Sequence, residues 1–200
     1  MKVSVVDYNI GNIKSVVKAL KYLGADVRLA ANANDIKTSE KLILPGVSAF
    51  GAAMDNLKKL ELIQDYIKSG KWFLGICVGL QLLFETSEES PNSQGLKIIP
   101  GIVKKMDDTK LIVPHIGWNT IKILKPSIFF KGLSVNENLY FYFVHSYYVC
   151  PNDKNVIIAA TNYGSDFCSA VEYNNVIATQ FHPEKSQNNG LQCLKNFLEL

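Results

Sequence analysis

The first 90 residues alternate short apolar runs with segments of helical periodicity, and this alternation constrains the fold more than any other feature of the sequence. Strands are predicted at the short apolar or β-branched runs "KVSVVDY", "DVRLA", "KLILPG" and "WFLGIC". Helices are predicted at "NIKSVVKALKYLG", "VSAFGAAMDNLKKL", "ELIQDYIKSG" and "VGLQLLFETSEE". Strands that alternate with helices are typical of a doubly wound, mostly parallel sheet.

The pattern changes after "ESPNSQG", where short β-rich runs follow one another as far as residue 181 with few helical signals. These runs predict hairpins and meanders, and "YNNV" is a plausible two-asparagine hairpin turn. The final "GLQCLKNFLEL" has the periodicity of an amphipathic helix. Residues 1–200 are therefore expected to form one α/β domain, in which a mostly parallel sheet carries an antiparallel extension.

Size and charge exclude several classes of function. A chain of 200 residues with 48% hydrophobic and 20% charged residues has the composition of an ordinary soluble domain. The formal net charge is only +3 and Arg28 is the single arginine, which disfavours a nucleic-acid interface. The start "MKVSVVDYN" does not have the pattern of a signal peptide, and no apolar segment approaches the ~20 residues that span a bilayer. A cytoplasmic location without membrane contact is expected.

The cysteines are too widely spaced for the close pairs of a zinc site, so neither a metal nor another cofactor is expected. In a reducing compartment disulfides are also not expected. The four are Cys77, Cys150, Cys168 and Cys193. Only Cys77 lies at a strand-to-helix boundary, and the other three are interpreted as packing residues.

Cys77 has the context of a nucleophile elbow. It follows a predicted strand and lies between Gly75 and Gly79, and ligands of doubly wound sheets bind at the carboxyl ends of strands. The amino end of the following helix would favour a thiolate, and the amide of Val78 could bind an oxyanion. A space-filling core cysteine explains this window equally well.

A nucleophilic cysteine needs a base, and His182 in "TQFHPEKS" is the best candidate among His115, His145 and His182. Pro183 disfavours helical angles at His182. In an extended segment Glu184 would share a face with His182, about 6 to 7 Å away between alpha carbons, and could orient the imidazole. A surface turn with a chance pair is the alternative for either residue alone, whereas the combination with Cys77 favours catalysis.

The motifs "GICVGLQLLFETSEE" and "TQFHPEKS" resemble those of the class I (triad) glutamine amidotransferases, which have a flavodoxin-like fold. Four further blocks resemble, more narrowly, the glutaminase subunits of imidazole glycerol phosphate synthase: "DYNIGNIKSV", "PGVSAFG", "PHIGWN" and "YFVHSYY". The blocks extend from residue 7 to residue 187, so the resemblance covers essentially the whole chain.

The resemblance implies a glutaminase in which Cys77 is the nucleophile, His182 the base and acid, and Glu184 its orienting group. Glutamine would be hydrolysed to glutamate and ammonia through a cysteinyl thioester. The oxyanion would be bound by the amide of Val78 and by one near Val47. The resemblance also implies five substrate-binding positions: Gly46, Gln81, Glu89, Ser146 and Tyr147.

The resemblance further implies a partner, a (β/α)₈-barrel cyclase subunit in a heterodimer. That subunit would use the ammonia to make imidazole glycerol phosphate, a histidine precursor, and an aminoimidazole carboxamide ribonucleotide. Asn12, Trp118 and Lys185 match interface positions of the family. Without the resemblance, Trp118 would be interpreted as a core residue, Glu89 as a solvated helix end, and His115 and His145 as strand histidines with satisfied hydrogen bonds.

The sequence departs from the family pattern in two places and leaves three alternatives open. Ser48 stands where the oxyanion strand usually has glycine, which puts the reorientation of that strand in doubt because a β-carbon disfavours positive φ. Asn9 stands where glycine is more frequent. The alternatives are a paralogous glutaminase that supplies another synthase, such as one making amidino sugars of surface glycans, a non-catalytic scaffold subunit, and a cysteine peptidase or hydrolase.

Overall fold

The structure, a computed structural model, describes residues 1–8, 12–57, 62–109, 111–134 and 138–200. Within these ranges the strands form a single 12-stranded sheet. The departure noted at Asn9 lies outside the described residues.

The first half of the sheet is parallel, as the alternation predicts. Its strands are β1 (Lys2–Val6), β2 (Asp26–Ala30), β3 (Leu42–Leu44), β4 (Phe73–Ile76) and β12 (Val176–Thr179). The helices are α1 (Ile13–Tyr22), α2 (Ala33–Thr38), α3 (Phe50–Leu57), α4 (Ile63–Lys68), α5 (Val78–Gln81) and α6 (Gln187–Glu199). No helix within the described ranges combines the length and apolarity that a membrane span requires.

The second half is the antiparallel extension that the β-rich runs predict, apart from the short parallel pair β5–β6. Its strands are β5 (Thr86–Ser87), β6 (Gly101–Lys105), β7 (His115–Ile123), β8 (Leu139–His145), β9 (Tyr147–Pro151), β10 (Ile157–Tyr163) and β11 (Ser165–Tyr173). Within the described residues, three short 3₁₀ helices cover Ile128–Phe130, Lys154–Val156 and Pro183–Lys185. The path across the sheet runs β2-β1-β3-β4-β12-β11-β10-β7-β8. Strands β5, β6 and β9 lie off this path, and β9 joins them to β11.

The predicted hairpin at "YNNV" joins the two halves. Strand β11 ends at Tyr173 and β12 begins at Val176, with Asn174 at φ +54° in the turn. Asparagine tolerates this left-handed conformation better than most residues. The hairpin lays β12 antiparallel to β11 and parallel to β4, so the carboxyl ends of β4 and β12 lie side by side, with Ile76 paired to Thr179.

Helix boundaries are where the sequence predictions are wrong. The helix predicted over residues 78–89 is only the four-residue α5. Every residue from Cys77 to Phe84 is buried, so this segment has no solvent-facing side for an amphipathic helix. The carbonyls of Leu82, Leu83 and Phe84 instead accept hydrogen bonds from the backbone N–H groups of residues 96–99. Helix α2, capped by the side chain of Asn32, was not predicted, and α6 begins before the predicted position 190.

Candidate active site

Cys77 follows β4 in a strained backbone conformation, with φ +54° and ψ −106°. Its N–H donates to the carbonyl of Thr179 at the end of β12 at 2.7 Å, which holds Cys77 where the carboxyl ends of β4 and β12 lie side by side. A β-carbon on Gly79 would lie 2.0 Å from the carbonyl oxygen of Leu44, and one on Gly75 would lie 2.6 Å from that of Gly79. The flanking glycines are therefore required by close backbone approach, as an elbow demands.

The helix dipole contributes less to a reactive thiolate than the sequence suggests. Helix α5 has a single turn, and partial charge at a helix end grows with the number of aligned peptides. The turn still begins at the nucleophile, because the N–H groups of Leu80 and Gln81 donate to the Cys77 carbonyl. The amide of Val78 is thus the first of the turn, next to the sulfur.

His182 and Glu184 form a buried pair, with Nδ1 of His182 2.8 Å from Oε1 of Glu184 and each side chain 1% exposed. His182 has extended angles, as Pro183 predicts, whereas Glu184 lies in the 3₁₀ turn Pro183–Lys185. The pair therefore forms through a tight turn, and the prediction of a continuous extended segment is wrong. Nε2 of His182 has no hydrogen-bond partner among the described residues, so this atom is available for proton transfer.

Electrostatics link His182 to Cys77. Burial alone lowers the pKa of His182, but the negative charge and hydrogen-bonding capacity of Cys77 and Glu184 outweigh it and raise that pKa to about 10. A thiolate beside an imidazolium is the state in which a cysteine is most nucleophilic at neutral pH. Tyr8, whose hydroxyl donates to the Pro45 carbonyl at 2.7 Å, also has a raised pKa through burial and the charge of Cys77.

Two neighbours of the sulfur were not predicted. The amide Nε2 of Gln180 lies 3.7 Å from Sγ of Cys77, and the carbonyl of Val144 lies 3.9 Å from it. Gln180 also accepts from Nε2 of Gln81 at 3.3 Å. One feature of the sequence could have predicted Gln180 at the site, namely its position two residues before His182. In an extended segment, residues two apart share a face.

A cavity of about 230 Å³ opens beside Cys77. Its lining includes seven residues predicted for the site: Val47, Cys77, Val78, Gln81, Glu89, Ser146 and Tyr147. Gly46 lies behind it, where a β-carbon would be 2.7 Å from that of Val78. The volume is below the ~300 Å³ lower bound for drug-sized ligands and suits an amino acid. A larger cavity of about 740 Å³, lined by β7, β9, β10 and β11, contains no triad residue.

Polar groups in the cavity already have protein partners. Oε2 of Glu89 accepts from the N–H of Phe50 at 2.7 Å, and the neighbouring Gly51 N–H donates to the Ser90 hydroxyl at 3.1 Å. Glu89 is thus half-buried at the amino end of α3, not a solvated helix end. Nε2 of Gln81 donates to the Tyr147 carbonyl at 3.0 Å.

Two of the three predicted interface residues lie together on the surface. Trp118 is 46% exposed, which disagrees with a core position, and its ring meets that of Tyr142 edge-on at 6.1 Å. Nζ of Lys185 lies 5.5 Å from the centre of the same Tyr142 ring. Asn12 lies immediately before α1, and its Oδ1 accepts from the Ser15 hydroxyl at 2.9 Å.

Known proteins resemble this chain over its whole length. The family model for class I glutamine amidotransferases matches residues 4–200. Imidazole glycerol phosphate synthase subunit HisH of Syntrophotalea carbinolica is 48% identical, covering 96% of this chain and 97% of that protein. The HisH subunit of Methanocaldococcus jannaschii is 46% identical, covering 99% of each chain.

One relative is a longer protein, of which this chain matches only a part. The imidazole glycerol phosphate synthase hisHF of Schizosaccharomyces pombe is 46% identical over 99% of this chain, which matches 38% of that longer protein.

Solved structures confirm the predicted fold class. PurLQS from Thermotoga maritima has a TM-score of 0.76 at 17% identity, covering 99% of this chain and 97% of that chain. A glutamine amidotransferase from the same organism has a TM-score of 0.67 at 16% identity, covering 100% of this chain and 84% of that chain. Together with the family match and the HisH similarities, the elbow and buried pair show that this chain belongs to the class I glutamine amidotransferases and, within them, to the HisH subunits of imidazole glycerol phosphate synthase.

Proposed function

We propose that Cys77, His182 and Glu184 carry the glutaminase reaction of this chain, which forms a single domain. The observation that supports the assignment best is the shared setting of the three residues. The elbow at Cys77 opens into an amino-acid-sized cavity, and the buried His182–Glu184 pair follows the adjacent strand end with Nε2 unpartnered among the described residues.

The mechanism follows from these positions. Nε2 of His182 takes the thiol proton, and Sγ of Cys77 attacks the side-chain carbonyl carbon of glutamine to form a tetrahedral oxyanion. When the oxyanion collapses, the C–N bond breaks and the imidazolium gives its proton to the nitrogen, so that ammonia leaves and a glutamyl thioester remains. Water then loses a proton to His182 and attacks the thioester; the C–S bond breaks to give glutamate and the thiolate. Glu184 stabilises each imidazolium.

The oxyanion hole in this proposal has two halves. The amide of Val78 comes from the turn at the nucleophile, and an amide near Val47 comes from the facing segment after β3, which lines the same cavity. Gly46 permits that segment to approach Val78 closely. Donors aimed at the developing charge are usually the largest catalytic contribution in acyl transfer.

The same cavity supports the proposed glutamine contacts. The carboxylate of Glu89 suits the substrate ammonium, and Ser146 and Tyr147 supply backbone groups in the wall of the same cavity. The side-chain amide of Gln81 donates both to the Tyr147 carbonyl in this wall and to the side chain of Gln180. These polar partners inside the cavity favour a glutaminase over the alternatives of a scaffold or a peptidase.

Labelling by a glutamine analogue tests the nucleophile. Diazo-oxo-norleucine, incubated with the assembled complex, should alkylate Cys77 alone, as read by peptide mass spectrometry. Cys150→Ala serves as the control, because half-buried Cys150 lies in the antiparallel extension and its removal should not alter labelling. Modification at another cysteine, or none in an active complex, would contradict the assignment.

We further propose that the partner is a (β/α)₈-barrel cyclase subunit that receives the ammonia within a heterodimer. The proposed contacts are the surface formed by Trp118, Tyr142 and Lys185, together with Asn12. The hisHF relative supports the pairing, since its unmatched part leaves room for a second protein unit. Glutamine turnover that appears with the histidine-pathway cyclase and its nucleotide ligand supports this partner; turnover only with another synthase would favour the paralogue.

A further inference from the structure

Two buried histidines outside the triad are joined in a hydrogen-bonded chain. His115 is 3% exposed and His145 6%, and they are directly paired across β7 and β8. Nδ1 of His115 lies 3.1 Å from Nε2 of His145, and Nδ1 of His145 lies 2.8 Å from the carbonyl oxygen of Tyr147. At the other end, Nδ2 of Asn119 lies 3.3 Å from Nε2 of His115.

The chain has one consistent direction when both rings are neutral. The Tyr147 carbonyl can only accept, so Nδ1 of His145 carries the proton and its Nε2 is an acceptor. His115 must then donate from Nδ1, which leaves its Nε2 to accept from Asn119. Asn119 keeps its place by donating also to the carbonyl of Asn162 at 2.9 Å. Burial lowers the pKa of His115 to about 4 and that of His145 to about 3, consistent with two neutral rings.

The chain ends at the wall of the cavity beside Cys77. The Tyr147 carbonyl that accepts from His145 also accepts from Gln81, and His145, Ser146 and Tyr147 all line the cavity. Two donors thus fix the orientation of the peptide after Tyr147, next to the backbone proposed to contact glutamine.

Packing alone does not require these polar atoms. The ring of His115 stacks on Phe143 at 5.0 Å and on Tyr163 at 4.1 Å, an environment that a phenylalanine would fill without burying nitrogens. Polar groups buried among aromatic rings are costly unless each is satisfied, and a fully satisfied chain specifies one geometry.

We propose that His145 is a positioning residue that holds the Ser146–Tyr147 wall of the glutamine pocket through the Tyr147 carbonyl, and that His115 fixes the tautomer of His145. The inference rests on the proposed function, because the wall matters only if glutamine binds there.

Two isosteric replacements of His145 separate positioning from packing. The amide nitrogen of asparagine reaches the place of Nδ1 and can still donate to Tyr147, whereas that of glutamine reaches the place of Nε2 and cannot. In the complex with the cyclase and its nucleotide ligand, His145→Gln should raise the KM for glutamine about tenfold, the effect of losing one well-placed hydrogen bond. His145→Asn should restore most of that loss.

Tyr163→Phe is the matched control. It keeps the ring that stacks on His115 and removes only a hydroxyl that donates to the Ile112 carbonyl, so KM should not change. Melting temperatures of all variants are measured in parallel. Equal KM values for His145→Asn and His145→Gln, or KM changes that follow the melting temperature, would overturn the inference.

A spectroscopic readout is independent of glutaminase activity. Nitrogen-15 chemical shifts of the imidazole rings in the full chain should show protonation at Nδ1 and not Nε2 for both His115 and His145. An Nε2–H tautomer at either ring would refute the hydrogen-bonded chain. If wild type fails to turn over glutamine in any complex, the proposed function fails, while this measurement still decides whether the chain of histidines exists.

Discussion

At the scale of the residue, the reactivity of Cys77 comes from its neighbours more than from its helix. The sulfur has Gln180 and the Val144 carbonyl within 4 Å, and its charge raises the pKa of His182 against the effect of burial. Glu184 contributes to the same rise. Exchanging a single atom in the buried His182–Glu184 pair should therefore lower the rate of catalysis more than the same exchange elsewhere in the site.

Glu184→Gln should lower kcat for glutamine by about 10²- to 10⁴-fold, because the neutral amide neither stabilises the imidazolium nor fixes the Nδ1–H tautomer. KM should change much less, since Glu184 does not line the cavity. Steady-state glutaminase assays in the complex measure both values. A kcat within threefold of wild type in a folded variant would remove Glu184 from the triad.

Ser48 is the second residue whose effect is measurable. If the oxyanion segment must adopt positive φ at this position during turnover, a β-carbon costs about 1 kcal/mol there. Ser48→Gly should then raise kcat about fivefold, a ratio of the size that 1 kcal/mol produces. Ser48→Ala, which keeps the β-carbon and removes the hydroxyl, should behave like wild type; equal rates for all three proteins would show that φ at residue 48 does not limit turnover.

At the scale of the element, the neighbouring strands β4 and β12 position the residues of the proposed catalytic triad. These strands are parallel neighbours with Ile76 opposite Thr179, so the nucleophile and the segment carrying the base leave the sheet side by side. Strand β12 reaches this position through the two-residue hairpin after β11. The turn itself is thus a determinant of site geometry.

Asn174→Ala should lower the free energy of unfolding by about 1 kcal/mol, because alanine tolerates the φ of +54° less well than asparagine. Asn174→Gly is the matched control and should be close to wild type, since glycine adopts this conformation freely. Urea denaturation followed by circular dichroism measures the difference. Equal losses for the two variants would indicate that a side-chain contact, not backbone conformation, is responsible.

At the scale of the whole molecule, buried histidines should make stability depend on pH. The pKa values of His115 and His145 are lowered by burial to about 4 and about 3, below the ordinary 6.5 of an unfolded chain. Between about pH 3 and pH 6.5 these two histidines bind more protons in the unfolded state than in the folded state. The free energy of unfolding should therefore fall as the pH drops below about 6.5. His182 acts in the opposite direction, because its raised pKa gives stability that is present below 6.5 and lost as the pH rises through about 10.

Replacing His115 by phenylalanine isolates this effect. The variant should lose less stability than wild type between about pH 6.5 and pH 4, because one of the two protonations no longer occurs. Denaturant titrations at several pH values give the free energy of unfolding as a function of pH for each protein. Both proteins have the same carboxylates, so the contribution of these groups cancels when the two curves are compared. Parallel curves would show that His115 is not the buried neutral group proposed.

Much of the fold and of the site was predictable because it depends on local sequence. Alternating apolar runs indicate β1 to β4 and most of their helices, the asparagine pair indicates the hairpin, and glycines around Cys77 indicate the elbow. The length of α5 was not predictable, since the apolar run after Cys77 fits a buried turn as well as a helix, and only surrounding chain segments decide between them.

The sequence by itself determined which strands and turns form, which cysteine is the nucleophile of the proposed triad, and which family the motifs resemble. Tertiary structure alone decided that Gln180 and Val144 lie beside Cys77, that His115 pairs with His145, and that Trp118 lies partly exposed beside Tyr142. The physical reason is distance along the chain. Local patterns fix conformation through contacts a few residues apart, whereas these neighbours, separated by tens of residues, meet only after the strands have paired in their final order.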